Sequence, residues 1–102
     1  MDGYSVGRQL YSLRANVSGA ASRISSKESE LNRLEDSMRR REAALIAPET
    51  TTEDRVLLLA DIKDMSERTG ELETEIELLI ADKARYQVEL RTYEQDVALS
   101  GF

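Results

Sequence analysis

Ala47-Pro48-Glu49-Thr50-Thr51-Thr52-Glu53-Asp54 is the stretch that decides how the rest of this chain is arranged. Pro48 has no amide hydrogen to give to a helix, and its ring disfavours helical geometry in the residue before it. A helix arriving from the N-terminal side therefore stops near Ile46. Beyond the proline, Thr50 with Glu53 and Thr51 with Asp54 both have the spacing of a capping box or its acidic near-equivalent, and Glu53 and Asp54 suit the positive end of a helix dipole. A second helix is expected to begin between Thr51 and Glu53. The connection, about five residues, is short enough that the two helices must fold back side by side.

Working outward from the turn, each side carries a heptad seam. Val6, Leu10, Leu13, Val17, Ala20, Ile24, Lys27, Leu31, Leu34, Met38, Arg41 and Leu45 follow one another at alternating spacings of four and three. Leu58, Ile62, Met65, Thr69, Leu72, Ile76, Leu79, Lys83, Tyr86, Leu90, Tyr93 and Val97 do the same. In an antiparallel pair, facing residues have position numbers with a constant sum, and here a sum of 103 joins all twelve layers, from Val6 with Val97 to Leu45 with Leu58. The expected fold is all-α: an antiparallel two-helix coiled-coil hairpin, with assembly into a larger helical bundle open to it. Residues 1–102 form one such unit, with helix 1 over about 4–46, a turn over about 47–52 and helix 2 over about 53–99.

The polar seam residues Lys27, Arg41, Thr69 and Lys83 each face an apolar partner in this register. Their stems can cover the seam while their charges reach outward. An in-register parallel dimer of straight chains would stack each lysine and arginine on its own copy, so the sequence disfavours that alternative. Ser18-Gly19-Ala20-Ala21-Ser22 lies opposite Lys83, small side chains against one long stem. Charge agrees with the pairing: residues 1–46 hold 8 basic and 6 acidic side chains, net +2, and residues 47–102 hold 6 and 14, net −8. Arg23 with Asp82 and Arg14 with Glu94 are the expected flanking contacts.

Composition narrows the function. The chain has no Cys and no His, is 33% charged and only 5% aromatic, and carries a net charge of −6. Disulfides, thiolate chemistry, the usual zinc sites and the commonest proton-transfer side chain are thereby removed. No apolar run approaches the roughly 18 residues of a membrane span, and Met1-Asp2-Gly3-Tyr4 is not the start of a signal peptide. The expectation is a cytoplasmic protein or part of an intracellularly assembled particle, with no membrane insertion. The acidic balance disfavours anionic lipid and nucleic acid. Arg39-Arg40-Arg41 is a local basic cluster, with Asp61 and Asp64 placed to neutralise part of it. No Gly-rich phosphate loop is present. Asn16-Val17-Ser18 matches a glycosylation pattern, but Val17 is a seam residue.

What remains is apolar surface off the seam. Tyr11, Ala21, Leu57, Leu59, Ile80, Val88, Leu99 and Phe102 are the candidate partner-binding residues, and Ala21, Leu59 and Ile80 share the seam-flanking e position. Tyr4, Tyr93 and Phe102 are expected to form an aromatic open end. Glu71, Glu73, Glu75 and Glu77, across from Glu28 and Glu30, are expected to leave the middle of the hairpin acidic and poorly neutralised. The leading reading is a non-enzymatic structural or assembly adaptor that presents its hairpin to partner helices in a larger protein complex, of the secretion-system, phage-particle or tethering type by analogy of architecture. Its partners are other protein chains or further copies of itself, without cofactor or small-molecule substrate. The alternatives are a small export or assembly chaperone for a helical client and an RNA-binding four-helix-bundle dimer.

Overall fold

The structure, a computed structural model, describes residues 3–101. Two α-helices, α1 (Gly3–Ile46) and α2 (Thr52–Leu99), pack against each other as a hairpin, and there is no strand among the described residues. Phe102, and with it one edge of the expected aromatic end, lies outside the described residues.

The turn divides its threonines between the two helices. Thr51 caps α2: its Oγ1 accepts a hydrogen bond from the Asp54 amide at 3.1 Å, satisfying a donor that has no partner within the helix. Thr50 serves the other helix, since its hydroxyl donates to the Ala44 carbonyl at 2.6 Å. Of the two capping pairs legible in the sequence, the structure uses Thr51 with Asp54. Arg55 completes the closure. Its guanidinium donates to the Leu45 carbonyl at 3.2 Å through Nε and to the Ala47 carbonyl at 3.3 Å through Nη2. No basic residue stands in the last turn of α1, so a cation from α2 meets the negative end of that helix dipole. At the far end of α2, Gly101 adopts a φ of 76°. That left-handed conformation is what ends many helices, and it favours glycine.

Every seam position named from the heptad pattern is buried or half-buried. Val6, Leu13 and Ala20 of α1 and Leu72 of α2 are buried, and the rest of the seam is half-buried. This is the burial two strands can supply, because each helix covers only one stripe of the other. Packing divides the chain into two compact units. The turn unit is Ser26–Ile76, and the open unit is the described part of Met1–Ser25 with Glu77–Phe102.

Within the open unit, Ala20 and Ala21 lie in the small-residue segment expected opposite Lys83. Ala20 has 0% exposure although it is the smallest seam side chain, so its neighbours close over it. The expected ion pairs are not formed: among the described residues, Asp82 pairs with Arg85 of its own helix at 3.5 Å, and neither Arg23 nor Arg14 reaches an acid across the seam. Arg23 instead lies back along α1, with its Nη2 at 3.9 Å from where a Cβ on Gly19 would be. An intrahelical partner three residues away is reached with less ordering of a long side chain than one on the other helix.

Candidate functional site

In the turn unit the charged seam residues are tied to the flank of the partner helix. Lys27 Nζ lies 3.0 Å from Glu75 Oε2, an oxygen shielded from solvent. Arg41 pairs with Asp61 at 3.5 Å through Nε and donates to the Ser37 hydroxyl at 2.7 Å through Nη1. Thr69 gives its proton to the Met65 carbonyl at 2.8 Å, which satisfies a hydroxyl that would otherwise be a liability in an apolar seam. Its oxygen is also 3.7 Å from the Met38 sulfur, linking adjacent layers of the expected register.

Arg68 is the residue that sequence reading passed over. It sits 3.0 Å from Glu30 on α1, and on its own helix it reaches Glu71 at 3.2 Å and Glu75 at 3.4 Å. The hydrogen bonds that Arg68 donates to Glu30 and Glu71 raise its already high pKa. The Lys27 hydrogen bond, acting against partial desolvation, lowers the pKa of Glu75 below the ordinary glutamate value. The acidic middle expected from the sequence is neutralised in part: Glu30, Glu71 and Glu75 are gathered by the two cations Lys27 and Arg68. Among the described residues, Glu28, Glu73 and Glu77 have no ion pair. The signal for Arg68 was available as an arginine three and seven residues before two of the glutamates.

The basic cluster near the turn is also partly spent. Arg39 leans on Glu35 at 3.9 Å and Asp36 at 3.5 Å, and Arg41 is held by Asp61. Arg40 is exposed and has no ion pair among the described residues.

The off-seam candidates fall into both units. Leu57 and Leu59 belong to the turn unit, and Tyr11, Ala21, Ile80, Val88 and Leu99 to the open unit. Apart from Ala21, which is half-buried, each is more than half exposed, from 51% at Ile80 to 87% at Leu99. Ile46, Val56 and Leu78 are equally open and were not singled out from the sequence. Their off-seam heptad positions were legible. At the start of α1, Tyr4 is exposed with the Arg8 guanidinium 5.6 Å above its ring, whereas Tyr93 is half-buried in the seam.

Surface depressions along α1 are lined by residues of that helix alone. One runs beside Tyr4, Gly7 and Tyr11, and another is bounded by Glu35, Met38, Arg39 and Glu42. Among the described residues, no helix is long and apolar enough to cross a membrane and no group of acidic side chains is placed to hold a metal ion. What the arrangement offers chemically is helix surface: exposed aliphatic side chains beside fixed charges. Comparison with protein-family models, curated proteins and solved structures finds no match to this chain.

Proposed function

We propose that this protein is a non-enzymatic assembly adaptor whose hairpin presents helix faces to other protein chains. The observation that supports this most directly is the imbalance between core and surface. Among the described residues four side chains are buried, while ten large apolar ones, among them Leu57, Leu59, Ile80, Val88 and Leu99, stand more than half exposed. Scattered apolar residues are ordinary on protein surfaces, but here they outnumber the buried seam. Folding must offset an ordering cost of about 1–2 kcal/mol per residue. A second layer of helix packing on the exposed faces adds the burial that two strands cannot supply. The lack of histidine and cysteine and the single-helix depressions are in keeping with a role in binding rather than turnover.

The test is the absolute mass of the purified chain by light scattering across a concentration series, together with hydrogen exchange at Leu57, Leu59 and Ile80. The expected result is a single chain of 11.5 kDa, with these residues' amides gaining protection only when a partner is added. A stable oligomer that already protects them overturns the adaptor reading, because the faces to be presented are then covered by further copies.

A further inference from the structure

We propose that one flank of the turn unit receives a basic amphipathic helix from another protein. The two flanks of Ser26–Ile76 differ in how their charge is used. Glu30, Asp61, Arg68 and Glu75 occupy the g positions of the heptads, and all the cross-helix ion pairs of this unit use them. The opposite flank carries the e positions. There α1 places Glu28, Glu35 and Glu42 at seven-residue intervals, and α2 places Glu73 and Leu59. Glu28, Glu42 and Glu73 have no ion pair among the described residues, and Glu35 has only a 3.9 Å approach from Arg39 of its own helix.

The same flank is also apolar. Leu59 and, at the neighbouring b positions, Ile46 and Val56 are exposed at 54%, 82% and 62%, and the two cations at b positions, Arg39 and Lys63, are outnumbered by the four glutamates. Between Glu35 and Glu42 the surface dips over Met38 and beside Arg39, whose guanidinium is turned toward Glu35 and Asp36, so a seam thioether borders two carboxylates there. A lysine or arginine suits this place in both parts, its stem on the methionine and its charge at the rim. Seven residues of α-helix rise about 10.5 Å. A partner helix lying alongside with a basic residue every seven positions meets Glu28, Glu35 and Glu42 in turn, and its apolar stripe covers Leu59, Val56 and Ile46. Charge decides the occupant. A second copy of a chain with net charge −6, an anionic membrane and a nucleic acid are all repelled by this flank. The inference rests on the adaptor reading and names the chemistry of the partner.

The probe is a synthetic four-heptad amphipathic peptide with leucine at a and d and lysine at one position per heptad. Its control has the same composition with the lysines shuffled out of the seven-residue spacing. Binding to the full chain is followed by fluorescence anisotropy over a salt series. The heptad peptide is expected to bind about tenfold or more tightly than the shuffled one, with Glu35→Lys/Glu42→Lys removing that advantage and the equal charge change Glu94→Lys/Asp96→Lys in the open unit leaving it. Circular dichroism of each variant reports whether the hairpin is kept, and the milder pair Glu35→Gln/Glu42→Gln repeats the test if reversal unfolds it. Equal affinity for both peptides, or equal losses from both charge changes, overturns the proposal by reducing the effect to general attraction. If neither peptide binds while the mass is that of one chain, the basic-helix proposal fails and the adaptor reading stands. A self-covered oligomer removes both.

Discussion

The turn unit and the open unit share one heptad plan but join their helices by different means. In Ser26–Ile76, Lys27, Arg41 and Arg68 each cross from one helix to an acid on the other. The closure is completed by Thr50 and Arg55 on the carbonyls that end α1. In the open unit, the ion pairs of Arg85 run along α2, to Asp82 and Glu89. Three of the four buried side chains among the described residues, Val6, Leu13 and Ala20, belong there. One four-three spacing is thus closed in two ways: charged seam residues reach acids on the other helix in the turn unit, whereas in the open unit Lys83 has no such ion pair among the described residues and Val6, Leu13 and Ala20 are buried. Exposed ion pairs contribute little each, so they set register in the turn unit while Leu72, with 0% exposure, carries its apolar packing.

The difference between the two units is expected to respond most strongly to a change at Leu72. Leu72→Ala leaves a cavity at the one fully buried side chain of the turn unit and is expected to cost about 2–4 kcal/mol. Urea unfolding followed by circular dichroism measures the loss, and hydrogen exchange should show protection falling more in Ser26–Ile76 than in the open unit. Equal losses in both units would mean that they are not separate in stability. The counterpart in the open unit is Ala20→Leu, which forces a larger side chain into a site with no exposed surface and should cost about 1–3 kcal/mol by overpacking. If thermal melting shows Ala20→Leu to be stabilising, the open unit is loosely rather than closely packed at this layer.

Smaller effects sharpen the account of the turn. Thr51→Ala removes the acceptor for the Asp54 amide and is expected to lower stability by about 1 kcal/mol, read from the same urea curves, while Thr51→Ser or Thr51→Asp should restore it. Least in size is the pH dependence of the Lys27–Glu75 contact. Because the folded state holds the Glu75 pKa down, its contribution is present above the ordinary glutamate value and is lost as pH falls through the lowered folded one. The difference in melting temperature between wild type and Glu75→Gln should therefore be largest near neutral pH and vanish in acid. A difference that is constant with pH would show that Glu75 acts through packing instead.

Much of the fold was legible because it depends on spacing. All the seam residues named from the heptads are buried or half-buried, and α1 ends at Ile46 where Pro48 required it. The cap was narrowed to two threonine pairs, but choosing between them needed the geometry of the returning chain, which turns the Thr50 hydroxyl onto Ala44. Flanking charges were read less well. Arg14 and Arg23 were matched to acids across the seam by position number, yet a long side chain samples several acids within reach, and its choice depends on local packing. The candidate partner surface was legible at Leu57, Leu59, Ile80, Val88 and Leu99 and overlooked at Ile46, Val56 and Leu78, all off the seam by the same count.

By itself the sequence determined the helices, the place of the turn, the antiparallel return and the identity of the seam. These follow from backbone chemistry at Pro48 and from the period of apolar residues, both of which act locally or repeat along the chain. Only the tertiary structure decided that Arg55 closes α1, that Arg68 gathers three glutamates, and that the cross-helix ion pairs of the turn unit fall on one flank and leave Glu28, Glu42 and Glu73 on the other without an ion pair among the described residues. The physical reason is reach. A backbone carbonyl or a carboxylate on a neighbouring helix competes for a flexible guanidinium only once the two helices stand beside each other.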